Sequence, residues 1–318
     1  MNELLIVIYI GGGIVGLFLG AEGLVRGSSS LAMSMGVSPL IVGLTIVAFA
    51  TSSPELVVSI KAALEGNPGI VVGNVVGSNI CNIALILGVA ALISPMQVKT
   101  QIVRREIPIM IVVSFFMIFV LSDDTVARIE GIILVAGIVL YIILGYRYSV
   151  KEPVTDELIK ELEDNLPKTP FNVWKCLLLI VGGLGLLIGG SNLFVDGAVA
   201  IAEKLGVSQA VIGLTIIALG TSLPELTTSI VASFRSENEI AIGNAVGSNV
   251  FNILSVLGIS SLVSPISDTG VTIIDLSIMM FFTIIIFPLS RSKFTLHRWE
   301  GAILFLGYIV YMIYLGNT

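Results

Sequence analysis

The sequence predicts an all-α membrane protein of ten transmembrane helices, arranged as two inverted five-helix repeats. Three observations carry that prediction. Hydrophobic residues make up 55% of the chain and charged residues 12%, with a mean hydropathy of +1.03; a soluble domain carries about twice that charged share. Ten apolar runs approach the ~20 residues that a bilayer crossing needs. A set of motifs also recurs at a constant separation of 170 residues.

The runs fall near 4–25, 39–62, 70–93, 107–121 and 129–146, then 174–195, 209–233, 240–263, 273–289 and 299–315. Those at 107–121 and 273–289 are short. The first reads as a retained helix, because Met1-Asn2-Glu3 lacks the positive n-region of a signal peptide. Between the fifth and sixth runs lies a polar connection, dividing the chain into a repeat at 1–146, a cytoplasmic linker at 147–170 and a repeat at 171–318. Thr155 can cap a short helix in the linker, which Pro167 and Pro170 would end. The linker acids Glu152, Asp156, Glu157, Glu161, Glu163 and Asp164 lack EF-hand spacing and read as a solvated surface. With the N-terminus outside, 13 Lys and Arg fall in cytoplasmic loops and 3 (Lys61, Arg128, Lys204) fall outside. That bias follows the positive-inside rule and predicts a multi-pass protein of the cell membrane with both termini outside.

Thr51-Ser52-Ser53-Pro54-Glu55 is answered by Thr221-Ser222-Leu223-Pro224-Glu225. Gly73-Asn74-Val75-Val76-Gly77-Ser78-Asn79, followed by Asn82, is answered by Gly243-Asn244-Ala245-Val246-Gly247-Ser248-Asn249, followed by Asn252. Over 36–59 against 206–229, 14 of 24 positions are identical without a gap. Ser94-Pro95 matches Ser264-Pro265, and Glu130-Gly131 matches Glu300-Gly301. An odd number of spans per copy forces the second copy to enter from the opposite side, as in many alternating-access transporters.

Glu55 lies some 16 residues into its span, and Glu225 holds the same place in the second copy. An ionised carboxylate in hydrocarbon costs several kcal/mol unless it is paired or faces water. No lysine or arginine lies at that depth, so a transported cation is the natural counter-charge. Pro54 and Pro224 have no N–H for the carbonyls of Ala50 and Gly220, which frees backbone oxygen near Thr51 and Thr221. Ser52 and Ser59 are expected on the Glu55 face. Asn74, Ser78 and Asn82 fall at i, i+4, i+8 on one helical face, as do Asn244, Ser248 and Asn252. These are hard oxygen ligands suited to Ca²⁺ and Na⁺.

Several groups have plainer readings. Gly73/Gly77 and Gly243/Gly247 are GxxxG pairs that serve close helix packing. Ser59 and Ser229 are expected to bond back to their own helix. Cys81 and Phe251 occupy one matched pair and read as packing; Cys81 and Cys176 form no disulfide framework. Glu22 and Asp196 are matched by Asn192 and Arg26, so neither belongs to the duplicated set and neither has an expected ion role. His297, a lone loop histidine, cannot supply the nucleophile–base pair or H-E-x-x-H motif of a membrane hydrolase, so no enzyme is expected. The acidic pI of 4.9 says little about partners, and no nucleic acid is expected.

At these motifs the sequence resembles the Ca²⁺/cation antiporter superfamily, most closely its prokaryotic Na⁺/Ca²⁺ exchanger branch. The resemblance covers essentially the whole chain. It implies four central cation sites, with Glu55 and Glu225 binding Ca²⁺ alongside carbonyls of Thr51 and Thr221. It implies Na⁺ sites drawn from Ala48, Ser52, Ser78, Ala218, Ser222 and Ser248, with Asn82 and Asn252 at the centre. It further implies that the first and sixth helices slide as a gate across the other eight. Several relatives carry aspartate where this chain has Asn252. Neutral amides at both central positions argue against a K⁺ requirement. The long regulatory loop of animal exchangers is absent, and so is its expected regulation.

The expected function is therefore exchange of Na⁺ for Ca²⁺ by a monomer in the lipid bilayer, with no cofactor and with the family's three Na⁺ for one Ca²⁺. One Ca²⁺ or several Na⁺ could neutralise the two acids, but shared ligands forbid both together. The alternative is H⁺/Ca²⁺ exchange through the same glutamates, since two close carboxylates also attract protons. A passive cation channel is a different class, and inverted halves argue against it.

Overall fold

The computed structural model describes residues 2–35, 38–151, 173–206, 218–267, 270–292 and 294–316. In chain order its helices are α1 (Glu3–Met35), α2 (Pro39–Thr51), α3 (Ser53–Leu64), α4 (Pro68–Ile93), α5 (Ile102–Asp123) and α6 (Arg128–Lys151). They continue with α7 (Val173–Lys204), α8 (Ala218–Thr221), α9 (Leu223–Phe234), α10 (Asn238–Val263), α11 (Ile273–Arg291) and α12 (Arg298–Leu315). Among the described residues, 8 helices are long and apolar enough to cross a membrane, and α2 with α3 makes a ninth as a pair bent by 42°. The run expected over 209–233 begins outside the described residues. So do most of the 147–170 linker, its Thr155-capped helix and its acids.

Span lengths depart from the hydropathy runs where small or charged residues interrupt them. α1 continues ten residues beyond its run through Gly27-Ser28-Ser29-Ser30, and α7 runs on to Lys204. Glycine and serine lower the hydropathy without stopping a helix whose face is packed. α5 starts at Ile102 because a π-helical turn, Ile102–Glu106, carries Arg104, Arg105 and Glu106 into the helix. There Glu106 is 2% exposed; Arg105 Nε donates to its Oε1 at 2.6 Å and Tyr141 Oη to its Oε2 at 3.1 Å.

α4 and α10 form the centre: 78% and 83% of their apolar windows are buried, against 28% for α1 and α7. α1 and α7 lie against each other along a glycine seam. A Cβ at Gly20 would stand 2.7 Å from Gly183 O, and one at Gly190 would stand 2.6 Å from Leu17 N. Gly243 and Gly247 serve close packing as expected, against Leu40 and Leu44 of α2. The stretch that would face Gly73 and Gly77 by the same offset, near 210–214, lies outside the described residues.

Contacts between the halves recur at the 170-residue offset. β1 (Met96–Gln97) pairs with β4 (Thr295–Leu296), while β3 (Ile266–Ser267) pairs with β2 (Thr125–Val126), both antiparallel. Gly88 meets Gly301 across α4 and α12, as Gly258 meets Gly131 across α10 and α6. Glu130 Oε2 accepts from Ala127 N and Glu300 Oε2 from His297 N, each at 2.7 Å, starting α6 and α12 alike.

Among the described residues one contact has no twin. The Glu22 carboxylate on α1 holds Arg235, after α9, through Nη2 and Nε, and Arg26 Nη2 reaches it at 2.5 Å. Ser29 Oγ donates to Glu237 Oε1 at 3.0 Å. The offset counterparts are Asn192, Asp196 and Glu65. Among the described residues, the ion pair at that end is Glu65 with Lys61 of α3 at 3.9 Å. Removing Arg235 as Arg235→Gln is expected to cost about 1 kcal/mol, the scale of a partly exposed pair, read as a lower thermal unfolding temperature in detergent.

Candidate cation site

The site forms where α2–α3 and α8–α9 break beside α4 and α10. Pro54 and Pro224 each sit at the second position of the helix after the break, where a missing N–H is harmless. Before it, Ser52 and Ser222 have non-helical dihedrals (φ −80°, ψ 3° and φ −91°, ψ 4°). Glu55 and Glu225 follow in the first turn, near the positive ends of α3 and α9. They are 1% and 0% exposed. Among the described residues neither joins an ion pair.

The serines cross between repeats. Ser52 Oγ donates to Glu225 Oε1, and Ser222 Oγ donates to Glu55 Oε1, both at 3.2 Å. Ser52, expected on the Glu55 face, makes its carboxylate hydrogen bond to Glu225 of the other repeat, because the break at Ser52 interrupts the i, i+3 relation. Thr51 and Thr221 stand beside the same carboxylates, and Thr51 Oγ1 donates to Asn244 Oδ1 at 3.0 Å. Ala48 O already accepts from Ser52 N at 2.9 Å. In the second copy Ser222 N donates to Leu219 O at 3.1 Å.

α4 and α10 brace these breaks. Asn74 Nδ2 donates to Glu55 O at 3.1 Å and to Ser59 Oγ at 2.9 Å; Asn244 Nδ2 donates to Glu225 O at 3.3 Å and to Ser229 Oγ at 3.1 Å. Ser59 and Ser229 thus accept from a neighbouring helix, a contact that the expected back-bonding does not describe. Ser78 Oγ lies 3.5 Å from both Ser222 Oγ and Asn74 Oδ1. Asn82 falls within the π-helical turn Cys81–Leu87, and Asn252 opens its counterpart, Asn252–Leu257. Such turns recur at functional sites because they swing one side chain out of the α register.

Sequence reasoning left Asn79 and Asn249 without a role. Asn249 Oδ1 accepts from Asn82 Nδ2 at 2.9 Å, and Asn79 Oδ1 accepts from Asn252 Nδ2 at 3.2 Å. The signal was present: each lies three residues before its repeat's central asparagine, hence on the same face. The result is a buried set of oxygens without hydrogen-bonding partners among the described residues: Glu55 Oε2, Glu225 Oε2, Asn82 Oδ1, Asn252 Oδ1 and Ser248 Oγ. Unsatisfied buried acceptors cost free energy individually, and two of these belong to acids. Among the described residues no cluster of three His, Cys, Asp or Glu exists. The donor set is one of carboxylate, amide and hydroxyl oxygens, which suits hard cations.

The family model described as "sodium/calcium exchanger protein" matches residues 5–147 and 175–316. The chain belongs to this family. CaxA of Alkalimonas amylolytica is 40% identical to this exchanger-family chain over 99% of the chain and 100% of its own length. The sodium/calcium exchanger MaX1 of Methanosarcina acetivorans is 31% identical, covering 95% of this chain and 96% of its own. The solved structure of the sodium-calcium exchanger NCX_Mj, soaked with zero Na⁺ and Ca²⁺, superposes with a TM-score of 0.84 at 30% identity. That match spans 99% of this chain and 100% of the other.

Proposed function

We propose that this chain is a secondary antiporter that exchanges Na⁺ for Ca²⁺ across a cell membrane by alternating access. The observation that carries the reading is the pair Glu55 and Glu225, buried and, among the described residues, without a basic partner and each with one carboxylate oxygen unengaged. Ca²⁺ is held by both carboxylates with the carbonyls of Thr51 and Thr221. Na⁺ is held by oxygens of Ala48, Ser52, Ser78, Ala218, Ser222 and Ser248, with Asn82 and Asn252 at the centre. Two negative charges left in a low-dielectric interior disfavour passage of the empty site, so each crossing carries cargo. The likeness of this chain to MaX1 and NCX_Mj, both named sodium/calcium exchangers and similar over nearly its whole length, supports Na⁺ as the driving ion.

The finer reading follows the sequence. The repeats at 1–146 and 171–318 have inverted topology, both termini lie outside, and a monomer suffices. Three Na⁺ move for one Ca²⁺, without K⁺. Transport is then electrogenic, and Ca²⁺ flux in proteoliposomes should respond to an imposed membrane potential; equal flux at all potentials counts against three for one.

The deciding experiment is radiolabelled Ca²⁺ uptake into proteoliposomes loaded with Na⁺, compared with vesicles carrying a pH gradient. Uptake driven by outward Na⁺ and indifferent to collapse of the pH gradient is the expected outcome. Uptake driven by the pH gradient alone would keep the two glutamates as the site and make the protein an H⁺/Ca²⁺ antiporter. Uptake needing no ion on the opposite side would indicate a channel.

A further inference from the structure

An asparagine amide has nearly the same shape either way round, so its oxygen faces a cation only when its nitrogen is held elsewhere. Asn82 and Asn252 each place Nδ2 on an asparagine of the opposite repeat and, among the described residues, leave Oδ1 without a partner. We propose that Asn249 and Asn79 are positioning residues, which turn the amide oxygens of Asn82 and Asn252 toward the cation site and thereby set Na⁺ affinity. The inference rests on the cation-site reading given above.

The sense of one arm is fixed by a group that cannot reverse. Asn249 Nδ2 donates to the backbone carbonyl of Asn79 at 3.3 Å and lies 3.6 Å from Met110 Sδ. A carbonyl and a thioether only accept. The nitrogen of Asn249 must therefore face them, and its oxygen must face Asn82. Asn82 then has to present nitrogen to Asn249 and oxygen to the site. Flipping any amide in this arm sets donor against donor or acceptor against acceptor.

The other arm lacks that anchor. Among the described residues Asn79 Nδ2 has no hydrogen-bonding partner. Asn79 and Asn252 could reverse together and keep their mutual bond, with nitrogen then facing the site. A bound cation selects the orientation shown here. The Asn249–Asn82 arm is thus organised before the ion arrives, and the Asn79–Asn252 arm is organised by it.

The test uses purified full-length protein in detergent, without a gradient. Na⁺ or Ca²⁺ is titrated at constant ionic strength with choline, and the rise in unfolding temperature gives a midpoint for each ion. If neither ion stabilises the parent protein, the cation-site reading itself fails. If the parent responds, Asn249→Leu should raise the Na⁺ midpoint about tenfold, the usual scale for losing an outer partner of an ion-holding group. The Ca²⁺ midpoint should move much less, because the carboxylates stay in place. Asn79→Leu should give a smaller Na⁺ shift, and Asn79→Gln, which keeps an uncharged acceptor for Asn252, should bring the midpoint back toward the parent value. A purely structural role would lower the ion-free unfolding temperature and leave both midpoints unchanged, which overturns the proposal for Asn249. Should Asn249→Leu fail to fold, Asn79→Leu against Asn79→Gln decides, and equal Na⁺ midpoints for those two overturn it.

Discussion

Glu55→Gln is expected to reduce Ca²⁺ exchange to background while the protein stays folded, and Glu225→Gln is expected to do the same. Glutamine matches glutamate in shape, and its Oε1 can still accept from Ser222 or Ser52. What disappears is the charge that competes for a divalent cation and one of the two unengaged carboxylate oxygens. Burying that charge is itself unfavourable by several kcal/mol. The neutral variants should therefore unfold at the same temperature as the parent in ion-free buffer, or higher. Added Ca²⁺ should raise the unfolding temperature of the parent and not of the variants. A Glu55→Gln protein that still exchanges Ca²⁺ in proteoliposomes would show that the site lies elsewhere.

The second large effect belongs to the glycine seam of α1 and α7. Membrane helices gain no hydrophobic stabilisation from one another, so their association rests on close backbone packing and buried polar contacts. At Gly190 an added Cβ meets Leu17 N at 2.6 Å and Gly13 O at 2.9 Å. Gly20 presents the same problem to Gly183 O and Leu187 N, each at 2.7 Å. These neighbours are backbone, and no side-chain rotation relieves the clash. Gly190→Ala should cost about 1–3 kcal/mol, the usual scale of overpacking. Gly190→Val should separate the helices and abolish exchange. Gly189→Ala is the control: its Cβ points away from the seam with nothing within 4 Å. Thermal unfolding of the three variants in detergent should rank Gly189→Ala highest and Gly190→Val lowest; indistinguishable values would dismiss the seam.

The duplicated chemistry was legible because it leaves a mark in sequence. Two acids beside prolines, and Asn74, Ser78 and Asn82 at helical spacing, repeat at one offset, and all of them meet at the centre. Their partners were less legible. Ser52 reads as a neighbour of Glu55 if the helix is continuous, whereas the break sends it to Glu225. Asn79 and Asn249 stand in the motif, yet their work is visible only once the two copies cross, because each serves the other repeat. Helix length was obscured by composition: a hydropathy run stops at Gly27-Ser28-Ser29, although small residues are what allow α1 to continue along α7. The π-helical turns at Asn82 and Asn252 leave no periodic trace, since one extra residue per turn is absorbed within a uniformly apolar stretch.

In a carrier built from two near-copies, exchanging the roles of the copies turns one end state into its mirror. Positions where the copies agree contribute equally to both states and favour neither. Any resting preference must come from positions where they differ. Glu22, Arg26 and Arg235 are such positions, and their counterparts Asn192, Asp196 and Glu65 carry no positive charge. On the alternating-access reading proposed above, the ion-paired end of α1 is a symmetry defect, and the balance between the two orientations is expected to reside in defects of this kind rather than in the duplicated residues of the candidate cation site.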